Sequence, residues 1–225
     1  MRLQLETETS RLLFILLLTD LAFLFLHVLG KTNILTSAMF ELETNGGYAE
    51  IFQYIKEFWI AGLLTVLFAA RRKGCYLAWT CLFAYLLADD SLQIHERVGE
   101  YLTQALALEP AFNLRAVDLG ELLVIASAGG LLFLAIGSTY FSGDKEVRRF
   151  TNRLFVLILL FAGCGVLFDM TAFMITWGHP LWDFMQNGGE LVIMSLMLWY
   201  VFAQRPGPGE SPAAQHPDQH TTQPP

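Results

Sequence analysis

The side chains able to do chemistry are mostly acids, and they stand beside long apolar runs. The densest group is Asp89-Asp90-Ser91-Leu92-Gln93-Ile94-His95-Glu96, which directly follows an apolar stretch of about four helical turns. If one helix runs through it, Asp89 and Glu96 are seven apart and share a face that Gln93 and Glu100 extend, with His95 on another side. Ionised carboxylates beside a lipid core are costly unless they are paired, protonated or bound to a cation. Asp, Glu and His ligands suit zinc, iron or manganese, so metal ligation is one reading. A helix end emerging into water, with Glu96 and Arg97 solvated, is the other.

Asp169 stands well inside another apolar stretch, flanked by Phe168, Met170 and Phe173, with no helix cap to account for it. An ionisable group so placed is a functional-site candidate, or else a hydrogen-bonding partner for a neighbouring helix. Glu121 and Glu190 follow Asp118-Leu-Gly and Asn187-Gly-Gly, and each fits both a capped helix start and a ligand at the head of a helix. The candidate metal set is therefore Asp89, Asp90, His95, Glu96, Glu121, Asp169 and Glu190, with no catalytic residue assigned. Glu50 and Glu57 are seven apart with Gln53 and Tyr54 between them; Tyr48, Tyr54 and Trp59 make an interfacial belt with solvated acids the simpler reading for Glu50. Asp20 lies mid-run and alone, which fits a hydrogen bond between helices. His27 and His179 read as interfacial polar residues, or as companions of His95 in a zinc or di-metal site.

The elements that must position these groups are plain in the composition. Of 225 residues 54% are hydrophobic and 16% charged, with a mean hydropathy of +0.46; soluble domains hold nearer a quarter charged residues. The apolar residues come in blocks, such as 12–18, 63–70, 122–136 and 154–168, rather than on one face. Helices apolar on every side belong in a membrane or a large core, and this chain is too short to build such a core around six of them. Spans of sufficient length fall at 11–29, 54–70, 74–92, 119–140, 153–176 and 186–203; the last fits a start near Pro180 with a kink at Gly188-Gly189. Thr36-Ser37-Ala38 loosely resembles a signal-peptide cleavage site, but the preceding apolar region is long and carries Asp20 and His27, which favours a retained span. The stretch 93–118 reads partly as a surface amphipathic helix.

The expected fold is all-α: a polytopic bundle of six transmembrane helices arranged as three hairpins over 1–204. A disordered cytoplasmic tail rich in Pro, Gln, Ser, His and Thr follows over 205–225. Arg71, Arg72, Lys73, Lys145, Arg148, Arg149 and Arg153 lie in the loops after the second and fourth spans, and Arg2, Arg11 and Arg205 flank the ends. Only Lys31, Lys56, Arg97 and Arg115 fall on the other side, which places both termini in the cytoplasm of a cell membrane, the inner membrane if the source is bacterial. Most acids take the opposite side. Gly120-Glu121-Leu122 and Gly189-Glu190-Leu191 suggest a repeated hairpin plan, with an Asp late in each outgoing helix and a Glu early in each returning one.

The Asp-Asp-x4-His-Glu run at 89–96 resembles a pattern in small bacterial multi-span membrane proteins to which no activity is attached. The region Glu41–Trp59 is loosely similar to the acidic opening of alkaline ceramidase-like membrane hydrolases, whose zinc site of histidines, an aspartate and a serine would imply lipid hydrolysis. This sequence departs from them in having no paired histidines in its last helix and fewer spans.

A net charge of −7 argues against nucleic acid. Cys75, Cys81 and Cys164 form no CxxC pair and read as small core residues. No GxSxG, P-loop, HExxH or GxGxxG context is present, so nothing points to a nucleotide or to a covalent serine. Three functions follow. The first is a metal-dependent enzyme on a lipid or lipid-linked substrate at the outer leaflet, using zinc, iron or manganese. The second is a transporter that uses the acids as a proton or cation relay, although the inner helix halves are nearly devoid of ionisable groups. The third is a membrane assembly protein whose acids are caps and solvated ends. The partners expected are membrane lipids, and the sequence leaves the oligomeric state open.

Overall fold

A computed structural model describes the backbone of residues 2–111, 114–174 and 179–205, and the side chains of 7–111, 114–164 and 181–205. The chain is all-helical across those residues. Seven α-helices follow one another: α1 (Arg2–Lys31), α2 (Tyr48–Arg71), α3 (Gly74–Leu92), α4 (Ile94–Ala105), α5 (Ala116–Ser142), α6 (Lys145–Met174) and α7 (His179–Ala203). A 3₁₀ turn, Ala38–Phe40, interrupts the loop after α1. Across the described residues each of the six apolar stretches is helical, and the amphipathic stretch supplies α4. Over Thr7–Lys31, Tyr48–Arg71 and Ala116–Ser142 the helices are long and apolar enough to cross a membrane. The tail beyond Arg205 lies outside the described residues.

Local chemistry sets the breaks. Arg72 and Gln93 both adopt the left-handed conformation, at φ 53°, and end α2 and α3 by turning the chain sharply. Asp144 accepts the Val147 N–H at 2.9 Å and so caps the start of α6.

The larger of two buried apolar clusters forms the core. Ile60, Leu64 and Leu67 of α2, Trp79 and Phe83 of α3, Leu154 of α6, and Met194, Met197 and Leu198 of α7 are all buried in it. Leu16 of α1 reaches the same cluster. The outside is apolar too: Phe14, Leu18, Leu21 and Phe25 on α1 and Leu131, Leu134 and Phe141 on α5 are exposed. The helices α2 and α3, and α6 and α7, pack as neighbouring antiparallel pairs, but α1 meets α2 only slightly and lies along α7. The first hairpin is thus open, and α7 fills the place that α1 would take beside α2.

Two boundaries correct the sequence reading. The α7 helix begins at His179, in line with the alternative start near Pro180 and not with 186, so Glu190 sits three turns inside it rather than at its head, and Asn187 donates to the Asp183 carbonyl within the helix instead of capping. At the start of α5 the capping acid is Asp118, which accepts the Arg115 N–H at 2.9 Å, so Glu121 belongs to the second turn. Neither glycine of the proposed repeat opens a helix. Gly120 instead lets α5 touch α4: a Cβ there would collide with the Gly99 carbonyl, and one at Gly99 would stand 2.7 Å from the Glu121 nitrogen. Thr103 Oγ1 donates to the carbonyls of Gly99 and Ala116, at 2.8 and 3.0 Å, and binds the crossing.

Candidate functional site

Helix α2 presents Glu50, Gln53 and Glu57 along one side, a spacing of three and four that holds them on a common helical face. The final turn of α3 brings Asp90 against that face, and α7 adds Asn187, Glu190 and Leu191. The loop segment Leu42, Glu43, Thr44 and Asn45 roofs the space. Together they line a cleft of about 180 Å³ that contains four carboxylates and, among the described residues, no Lys, Arg or His. It lies at the acidic end of the bundle, opposite the basic loops.

The roof is tied down on both sides. The Leu42 N–H donates to His27 Nδ1 at 3.0 Å, and His27 is only 2% exposed. That nitrogen must be unprotonated to accept. Lys31 binds Glu41 at 2.9 Å and also Glu43. The ion pair holds the Glu41 carboxyl below its ordinary range, chiefly through the hydrogen bond from Lys31. On α2, Glu50 accepts the Gly46 N–H and closes the loop onto the helix.

Beneath the cleft lies Glu57, with no exposed surface. Its carboxyl meets that of Asp90, and neither of its oxygens finds a donor. A buried carboxyl left without donors is expensive, and two carboxyls facing each other are relieved only by a shared proton or a cation. Tyr54 closes the side by donating to the Asp90 carbonyl at 3.0 Å.

One residue before Glu57, Lys56 points into the bundle, and it is also wholly buried. The sequence had placed it among the outer loop cations; it is instead the centre of a polar network. Its Nζ donates to Asp20 Oδ1 at 3.1 Å, the Leu191 carbonyl at 2.6 Å and Ser195 Oγ at 3.2 Å. Ser195 in turn donates to Asp20 Oδ2 at 2.6 Å. Asp20 therefore does bond between helices, to α2 and α7 at once. Past this network, toward the basic end, come Leu16, Ile60, Leu64 and Leu198, all buried and apolar.

A second polar group lies where α3 gives way to α4. The Asp89–Glu96 run is not one helix: the turn at Gln93 folds His95 back onto Asp89. Asp89 Oδ1 accepts the His95 N–H at 2.8 Å, and Oδ2 pairs with His95 Nδ1 at 2.9 Å. Asp89 and Glu96 accordingly share no helical face, because the break resets the register between them. Glu121 is half-buried with His95 and Glu96 as electrostatic neighbours, and Glu96 itself is exposed.

The seven predicted ligands thus divide. Asp90 and Glu190 belong to the cleft; Asp89 and His95 form a dyad with Glu121 nearby; Glu96 faces out. The side chain of Asp169 lies outside the described residues, as does that of His179. Among the described residues no three His, Cys, Asp or Glu side chains gather as a metal-holding group. Lys56, Ser195 and the depth of Glu57 were missed, although a Lys-Glu pair leading straight into Phe-Trp-Ile was a signal for both charges.

These features define a helical bundle with an acidic cleft at one end, basic loops at the other and a buried Asp20–Lys56–Ser195 network between. The chain belongs to the family described as domain of unknown function DUF8692, whose model matches residues 12–203. No curated protein and no solved structure matches it.

Proposed function

We propose that the protein is a multi-pass cell-membrane protein of six spans that binds a cation in its acidic cleft in exchange for a proton held between Asp90 and Glu57. The six spans would be α1, α2, α3, α5, α6 and α7, with both ends cytoplasmic. The cluster of Arg71, Arg72, Lys73, Lys145, Arg148, Arg149 and Arg153 at one end supports that orientation. Removing Lys56 from the opposite loops strengthens the asymmetry. The apolar shell of α1 and α5 suits lipid, and α4 would lie along the outer surface.

The observation that carries the reading is Glu57: fully buried, without a donor, and against a carboxyl that lines an open cleft. A cation entering the cleft would supply the missing positive charge and release the proton. The test is proton release in weakly buffered detergent solution on adding salts of different cations. Wild type should release up to one proton per chain, and Glu57→Gln none. Equal release from both would remove Glu57 from the function.

A metal-dependent enzyme on a lipid or lipid-linked substrate is the second reading, favoured by the Asp89–His95 dyad. A carboxylate that fixes an imidazole is a common support for a metal ligand or a general base. One equivalent of zinc, iron or manganese in the purified protein, lost in Asp89→Asn, would support it over the first.

A further inference from the structure

We infer that the outer face of α6 binds an anionic phospholipid at the basic end of the bundle, with the headgroup on Arg149 and Arg153 and the acyl chains along Val156, Leu159 and Leu160. The inference rests on the membrane reading above and is independent of the cation reading.

The two faces of α6 carry the argument. Val147, Phe150, Leu154 and Ile158 are buried against the bundle. On the opposite face Lys145, Arg149 and Arg153 follow one another at intervals of four, which stacks them along one side of the helix. All three are exposed. Within the next two turns the same face becomes Val156, Leu159 and Leu160, exposed by 55, 53 and 53%. The change from cation to hydrocarbon falls at residue 153, where the apolar stretch of the sequence begins. In a membrane that boundary stands at headgroup depth.

These cations differ from most others at the basic end in that no acid holds them. Arg71 binds Glu146, Lys73 binds Asp144 and Glu146, and Arg205 binds Glu8. Arg148 donates to the carbonyls of Tyr140 and Phe141 at the end of α5. Among the described residues Lys145, Arg149 and Arg153 have no carboxylate partner, and the neighbouring acids Asp144 and Glu146 are taken by Lys73 and Arg71. Arg72 has none either, but it stands apart from α6 on the turn after α2. Arg153 approaches the Tyr200 hydroxyl of α7. That contact gives its side chain a direction and leaves most of its five N–H donors free.

Charge and hydrocarbon on one helical face select the occupant. Guanidinium groups one turn apart match the oxygens of a phosphate through charge-assisted hydrogen bonds. A soluble anion would answer the arginines and leave the apolar stripe unused. A phosphodiester that carries acyl chains answers both.

The test is lipid retention by the full-length protein in detergent micelles. Native mass spectrometry would follow equimolar phosphatidylglycerol and phosphatidylcholine with identical acyl chains. Wild type should retain the anionic lipid at least fivefold over the zwitterionic one at low salt, and the double variant Arg149→Gln with Arg153→Gln should bring the ratio near one. Arg72→Gln removes a charge from the same end on another element and should keep the ratio. All three side chains are exposed, so these variants leave the packed core alone. Equal retention of the two lipids by wild type, or an equal fall in Arg72→Gln, would overturn the site. So would full competition by glycerol phosphate at the concentration of the lipid, because the chains would then add nothing. Alkaline extraction of cell membranes separates this inference from the reading beneath it. A protein that washes off overturns both, and one that stays in the membrane without the lipid preference overturns the lipid site alone.

Discussion

Lys56 Nζ lies 3.1 Å from Asp20 Oδ1 in a part of the bundle with no exposed surface, and Ser195 holds the other carboxylate oxygen. These polar contacts join three helices, α1, α2 and α7. Removing one partner leaves an uncompensated charge in an apolar surround, which costs about 3–5 kcal/mol. Asp20→Ala and Lys56→Ala should each lower the melting temperature in detergent substantially. The double variant Asp20→Leu with Lys56→Met should recover most of the loss, because it leaves no orphan charge. A double variant as unstable as the worse single would show that the network is needed for more than its own neutrality.

The hinge between α3 and α4 depends on Asp89. It caps the first turn of α4 through the His95 N–H and orients the imidazole as well. Asp89→Ala should cost about 1 kcal/mol, the usual value of a helix cap, and speed amide exchange over residues 94–98 while α3 stays protected. Unchanged exchange there would mean that packing on α5 alone holds α4.

Packing on α5 has its own test. The α4 and α5 backbones touch at Gly99 and Gly120, where no Cβ fits. Gly120→Ala should push the helices apart by overpacking, at about 1–3 kcal/mol, and expose α4 to protease. Gly129→Ala, on the same helix with open space around it, should be tolerated and serves as the control.

The basic end has a pH signature. Asp144 accepts the Val147 N–H and a hydrogen bond from Lys73 at 3.1 Å, and the two together hold its carboxyl below its ordinary value. Its folded pKa is depressed, so its contribution is present above the ordinary carboxylate range and is lost as pH falls through the folded value. Glu146 shares the clamp by binding Lys73 at 2.6 Å and Arg71 at 2.8 Å. Wild type should therefore lose melting temperature on acidification more steeply than Asp144→Asn, and the two curves should converge at the lowest pH. Parallel curves would remove Asp144 from the acid response.

The roof of the cleft predicts one more contrast. Because His27 Nδ1 accepts the Leu42 N–H, a side chain that cannot accept there should loosen the loop. His27→Leu should raise proteolysis within residues 38–47, and His27→Asn, whose Oδ1 stands where Nδ1 does and can take the same bond, should largely preserve protection.

The helices were legible because apolar blocks of span length have one solution: α3 begins and ends at the residues the blocks implied, 74 and 92. Ends that rest on local conformation were not. Gln93 carries no turn preference comparable to glycine, so the break that pairs His95 with Asp89 left no trace, and Asn187-Gly-Gly imitates a cap that the longer α7 overrides. The polar site was half legible. Acids near lipid had to be paired or purposeful, which singled out Asp90 and Glu190. Their partners come from distant segments: Asp20 finds Ser195 across 175 positions, and single-sequence spacing holds no record of such meetings. Lys56 looked like a loop cation because it stands near the start of a span, when it is the face of α2 that decides whether a side chain reaches water or the bundle.

The apolar residues below the Asp20–Lys56–Ser195 network have an electrical meaning if the bundle spans a membrane. With Leu16, Ile60, Leu64 and Leu198 closing the way to the basic end, a charge that reached Glu57 would have crossed only part of the transmembrane field and would return by the mouth it entered. On the proposed cation reading, the bundle in this conformation would be a well and not a wire, holding what enters at the acidic end and carrying no steady current.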